Sequence, residues 1–222
     1  MGILPLGVLV SGRGSNFQAI YEAIRSGSLR ANIAVVVSNK KEAAALNRAQ
    51  AQGLPWVFHD PKPFAGEENS REAYDQALVE ILKQHGVELV VLAGYMRIVT
   101  ATLLNAYPWR VMNVHPSLLP AFPGLSAQKQ ALDWGVKVSG CTVHFVTEGV
   151  DEGPIILQTA VPLEEGDTVE SLSDRILKVE HQIYPEAIQL YAEGRLQIDG
   201  RQVKILNQSR GKVSSVTQNT CV

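Results

Sequence analysis

The sequence predicts one α/β domain, a doubly wound, mostly parallel sheet with helices on both faces. Three observations carry that expectation. Short runs rich in Val and Ile alternate with longer amphipathic stretches, and strands that are apolar throughout belong to sheets covered on two sides. Neither an internal repeat nor a Pro/Gly/Ser linker interrupts residues 5–205. The chain has 222 residues, 45% hydrophobic and 19% charged. A chain of that size buries roughly 70% of its unfolded surface without a disulfide or metal staple.

In chain order, strands are expected at residues 6–10, 33–37, 55–58, 89–93, 111–114, 142–146 and 155–160. Helical patterns fall between them at 15–26, 42–52, 70–85, 100–106 and 126–134. A long one follows at 168–193, where Leu172, Ile176, Val179, Ile183, Ala187, Leu190 and Tyr191 recur at helical spacing. Asn69 or Ser70 can cap the third helix, and Thr168 with Ser171 can cap the last. The domain is expected to span residues 1–207. The polar stretch 208–222 has no periodicity and reads as a flexible tail.

Charge and composition exclude several functions. A formal net charge of −2 argues against bulk nucleic-acid binding, which usually needs a basic excess. Apolar runs stay well short of the ~18 residues of a membrane span, and Met1-Gly2-Ile3-Leu4-Pro5-Leu6 has neither a basic region nor an acylation signal. Cys141 and Cys221 are too few for a disulfide framework or zinc ribbon. These features lead to the expectation of a soluble cytoplasmic protein, monomer or homodimer, without nucleic-acid or membrane partners.

After the first strand comes Ser11-Gly12-Arg13-Gly14-Ser15-Asn16, then a helix. Such a turn delivers backbone N–H groups and a helix N-terminus to one point, which suits a phosphate. The dinucleotide fingerprint needs a third glycine where Phe17 stands and an acidic residue after the second strand, which ends Val37-Ser38-Asn39-Lys40. The Walker pattern is also missing. A single phosphate on a small ligand fits better, and so does a plain strand-to-helix turn that needs glycine for geometry alone.

The fifth strand runs into Asn113-Val114-His115-Pro116-Ser117-Leu118-Leu119-Pro120. Residues 113 and 115 point to one face of a strand, at the carboxyl end where open α/β sheets bind ligands. An amide beside an imidazole suits a developing oxyanion and a moving proton. Asp151 lies on the later Gly149-Val150-Asp151-Glu152-Gly153-Pro154 loop. A carboxylate reaching His115 would orient the ring and favour imidazolium, but spacing alone does not bring them together. His59 and His85 read as surface residues, His144 and His181 as structural ones.

On these segments the chain resembles the folate-dependent phosphoribosylglycinamide formyltransferases of purine synthesis. Further matching runs are Ala93-Gly94-Tyr95-Met96-Arg97-Ile98, Gly140-Cys141-Thr142-Val143-His144-Phe145-Val146 and Glu180-His181-Gln182-Ile183-Tyr184-Pro185. The resemblance runs in order through residues 5–200; residues 126–129 and those beyond about 207 follow no family pattern. It implies catalysis by Asn113, His115 and Asp151. Gly14, Ser15, Asn16, Phe17 and Gln18 match the loop holding the phosphate and ribose of glycinamide ribonucleotide, and Glu180 a residue contacting that substrate. Arg71, Met96, Arg97, Ile98, Val99 and the loop from Thr147 to Asp151 match positions around 10-formyltetrahydrofolate. The implied chemistry is metal-free acyl transfer, with Asn113 and protonated His115 facing the oxyanion and Asp151 holding the imidazolium.

Relatives of that family use the same folate differently. Formyltetrahydrofolate deformylases hydrolyse it and usually carry an N-terminal regulatory module, whereas here the first strand is expected by residue 6. Methionyl-tRNA formyltransferases carry a C-terminal RNA-binding domain, and only 22 residues follow residue 200. A non-catalytic folate- or phosphometabolite-binding domain would not need Asn113 and His115 paired.

Overall fold

The first apolar run becomes an interior strand, the centre of the five parallel ones. Leu6, Val8, Leu9 and Val10 are fully buried, because they lie on both faces of β1 (Leu4–Val10) and each face is covered by helices. The computed structural model describes residues 2–66 and 69–207. After β1 come α1 (Ser15–Arg25), β2 (Ala31–Ser38), α2 (Ala44–Ala51), β3 (Trp56–Phe58), α3 (Ser70–Gln84), β4 (Leu89–Leu92) and α4 (Ala101–Ala106). Then follow β5 (Val111–His115), α5 (Ala127–Asp133), β6 (Val138–Phe145), β7 (Ile155–Pro162), α6 (Val169–Ala192), β8 (Leu196–Asp199) and β9 (Gln202–Ile205).

The nine strands of the described residues join one sheet in the order β3-β2-β1-β4-β5-β6-β7-β9-β8. The first five are parallel, whereas β6 runs antiparallel to both β5 and β7. Only nine residues separate β6 from β7, fewer than the dozen or more of a parallel crossover. One face packs Phe17 and Ile20 of α1, Ala45 and Ala49 of α2, and Leu172, Ile176 and Ile188 of α6 against Leu6 and Val8. The other packs Tyr74, Leu78 and Leu82 of α3 and Leu103 of α4 against Leu9 and Val35. The doubly wound, mostly parallel architecture expected from the sequence is therefore present.

Four details depart from the expectation. β6 begins at Val138 rather than 142, and the hairpin of β8 and β9 lies where no strand was expected. Asn69 precedes α3 but makes no side-chain capping bond. His59 is buried rather than at the surface, stacked on Tyr74 with ring centroids 4.0 Å apart. By contrast Thr168 and Ser171 form the reciprocal capping box of α6, at 3.2 and 3.0 Å. The expected tail at 208–222 lies outside the described residues. Among the described residues no helix is long and apolar enough to cross a membrane.

Candidate active site

The strand order turns outward in both directions from β1, so the carboxyl ends of β1, β4 and β5 open onto one crevice, the usual ligand position in such sheets. Three segments leave from those ends: the glycine turn after β1, residues 93–99 after β4, and His115 with its proline-rich exit after β5. A cavity of about 600 Å³ lies there, and its lining includes Met96, Ile98, Asn113, His115, His144 and Asp151. Arg97, Val99 and Thr147 also line it.

Asn113 and His115 do share a strand face, and antiparallel pairing sets Asn113 opposite His144 and His115 opposite Thr142. The Asp151 carboxylate reaches both histidines, with Oδ2 3.2 Å from His115 Nδ1 and Oδ1 3.7 Å from His144 Nε2. Its Oδ2 also accepts the Gly124 N–H at 2.8 Å. His115 Nε2 donates to the Phe122 carbonyl at 2.9 Å. His144 Nδ1 lies 2.9 Å from the Phe145 carbonyl. That assigns its proton to Nδ1 and leaves Nε2 to accept from the Asn113 amide, 3.2 Å away. The sequence left His144 as a structural residue; its opposition to Asn113 depends on strand pairing, which one strand's pattern does not reveal.

Burial pushes the His115 pKa below its ordinary 6.5, against the Phe122 carbonyl and Asp151, which both raise it. The free site thus favours the neutral ring rather than the protonated one. Both ring nitrogens nevertheless face oxygen acceptors, so an added proton finds a partner at once. Asp151 is held below the usual carboxylate range: desolvation opposes this, but the facing His144 ring, the Gly124 N–H and the nearby His115 outweigh it. Among the described residues no group of three or more His, Cys, Asp or Glu could hold a metal ion.

Around the glycine turn the structure sorts the expected residues. Gly14 precedes α1 with φ of 74°, and a Cβ there would lie 2.6 Å from the Ala45 Cβ. Packing and backbone conformation therefore already require glycine at 14. Phe17 is wholly buried in the core, so only its backbone can meet a ligand. Ser15 and Gln18 line a separate polar cleft of about 320 Å³ with Glu22, Arg48 and His181. Asn16 Nδ2 donates to Glu180 Oε2 at 2.7 Å while Asn16 Oδ1 is buried without a partner. Burial pushes Glu180 up to about 7 although that hydrogen bond lowers it. Arg71 is exposed on the first turn of α3 and is not part of the cavity lining.

An amide, an imidazole and a carboxylate gather at the switch point of this sheet, and the comparison with known families says what kind of protein carries them. The family described as formyl transferase matches residues 6–188, and the chain belongs to it. The chain is 46% identical over 181 residues to the phosphoribosylglycinamide formyltransferase of Bacillus subtilis (strain 168), covering 82% of this chain and 91% of that one. It is also 46% identical over 191 residues to the trifunctional purine biosynthetic protein adenosine-3 of Bos taurus, covering 86% of this chain but only 18% of that larger protein. The crystal structure of glycinamide ribonucleotide transformylase 1 from Symbiobacterium toebii matches with a TM-score of 0.89 and 57% identity, covering 92% of this chain and 95% of that one.

Proposed function

We propose that the chain transfers the formyl group of 10-formyltetrahydrofolate to the amine of glycinamide ribonucleotide, a step of purine biosynthesis. The observation that carries this reading is the convergence of Asn113, His115 and Asp151 on one cavity whose wall exposes the apolar Met96 and Ile98. A flat pterin needs such an apolar wall, and the formyl carbon then lies beside the polar trio. The glycine turn and the Asn16–Glu180 pair supply donors and acceptors for a phosphate and a ribose diol.

The amine attacks the formyl carbon, and the carbonyl oxygen becomes an oxyanion. Asn113 Nδ2–H and His115 Nε2–H stabilise it, the latter exchanging the Phe122 carbonyl for the substrate oxygen. The proton shed by the amine passes through water to the His115–Asp151 pair, which holds it as imidazolium. It returns to N10 of the folate as the carbon–N10 bond breaks, giving the N-formyl product and tetrahydrofolate. Arg71 lies outside the cavity lining and would meet only the distal part of the folate.

The test mixes the protein with 10-formyltetrahydrofolate and follows release of tetrahydrofolate by absorbance, with and without glycinamide ribonucleotide. Turnover that requires the amine supports the transferase. Equal turnover without it means hydrolysis, and no turnover in either arm leaves a binding domain.

A further inference from the structure

Ser11 opens the glycine turn, and its side chain is engaged by the segment that forms the wall of the larger cavity. It is 5% exposed. Its Oγ–H donates to Asn39 Oδ1 at 2.6 Å, and the same Oγ accepts the Met96 N–H at 2.8 Å. The Ser11 N–H donates to the Gly94 carbonyl at 3.0 Å. One residue thus fixes two points of the 94–99 segment, and Asn39, by taking the hydroxyl proton, aims the free lone pair at Met96.

The other end of that segment is tied from α3. The Arg97 guanidinium lies 4.1 Å from the Tyr74 ring centroid, and Asp75 accepts both the Thr100 N–H at 2.6 Å and the Thr100 hydroxyl at 2.9 Å. Between these anchors Met96 and Ile98 remain 61% and 56% exposed. Two large apolar side chains exposed side by side on a cavity wall mark a ligand-binding surface rather than scattered surface residues.

We propose that Ser11 and Asn39 are positioning residues for the folate: they hold Met96 and with it the apolar wall on which the pterin rests, although Ser11 opens the turn read as a phosphate loop. This rests on the functional reading above. A hydrogen bond from a neutral group is a modest interaction, so its loss reads as a change in affinity rather than in folding.

Ser11→Ala and Asn39→Ala are compared with the wild type by calorimetric titration with tetrahydrofolate, by KM for each substrate, and by melting temperature. Ser11→Ala is expected to weaken tetrahydrofolate about fivefold, with a parallel rise in the folate KM and an acceptor KM within about twofold of wild type. Asn39→Ala should move the same constants in the same direction by less, and supplies the answer should Ser11→Ala not fold. A rise confined to the acceptor KM, equal rises in both, or no change in either overturns the inference while leaving the transferase reading intact. A wild-type protein that binds no tetrahydrofolate overturns both.

Discussion

Asp151 touches three groups at once, two imidazoles and a backbone N–H, and its own φ of 55° is one that asparagine also tolerates. Asp151→Asn should therefore keep the turn and remove only the charge. Because that charge raises the His115 pKa against burial, the variant's pKa falls further below 6.5 and imidazolium becomes harder to form. The turnover number is expected to fall by about 10²–10⁴, the usual worth of general acid–base help, with folate affinity changed less than about tenfold. Proton NMR titration of the histidines checks the cause apart from the rate. A His115 pKa that stays put, or a loss in kcat below about fivefold, would remove Asp151 from this role. At this scale the Asn113–His115 pair was legible because strand alternation alone puts them on one face. The place of His144 was not, since it follows from antiparallel pairing with β5, and the Phe122 and Gly124 backbone contacts leave no residue-type signal at all.

At the scale of elements, the glycine turn separates geometry from binding. Gly14 has positive φ and packs on Ala45, whereas a Cβ on Gly12 would meet nothing within 4 Å. Gly14→Ala should thus cost about 1–3 kcal/mol in backbone strain alone, seen as a melting temperature lower by roughly 2–4 °C per kcal/mol. Gly12→Ala should stay within about 0.5 kcal/mol of wild type, so any rise in its acceptor KM reports a ligand that approaches the turn. Equal melting temperatures for the two variants would contradict this division. Seven strands and six helices were readable because their apolar runs or helical periodicity are long enough to register. The hairpin of β8 and β9 was missed although Asp199-Gly200 is a turn signal between alternating Leu196, Ile198, Val203 and Ile205; four-residue, half-exposed strands carry little apolar content. The loop motif gave no sign that the Phe17 ring is the first apolar core anchor of α1.

For the whole molecule, buried titratable groups pull stability in opposite directions with pH. His59, His115 and His181 have pKa values lowered first of all by burial, so the unfolded chain binds more protons than the folded one around pH 6.5 and below. Their share of stability is lost as pH falls through that range. Glu180 does the reverse. Buried in α6 and pushed up from 4.5 to about 7, it keeps its proton in the folded state where the unfolded chain has released it. Its contribution is fully present below pH 4.5 and is lost as pH rises through about 7. A shift of this size corresponds to roughly 3 kcal/mol at most once the group is ionised. Glu180→Gln retains an oxygen for the Asn16 amide and cannot ionise, so it removes this contribution alone. The ligand-free variant should gain on the wild type as pH rises, the difference in melting temperature growing by roughly 5–10 °C between about pH 5 and pH 8. Thermal melts of both proteins across that range decide the matter: parallel curves would mean that Glu180 is already ionised in the folded protein, with water or a cation at its buried carboxylate. If the curves diverge as expected, the residue proposed above as an acceptor for a ribose diol costs the empty protein stability at neutral pH, and a ligand donating to that carboxylate would recover part of it.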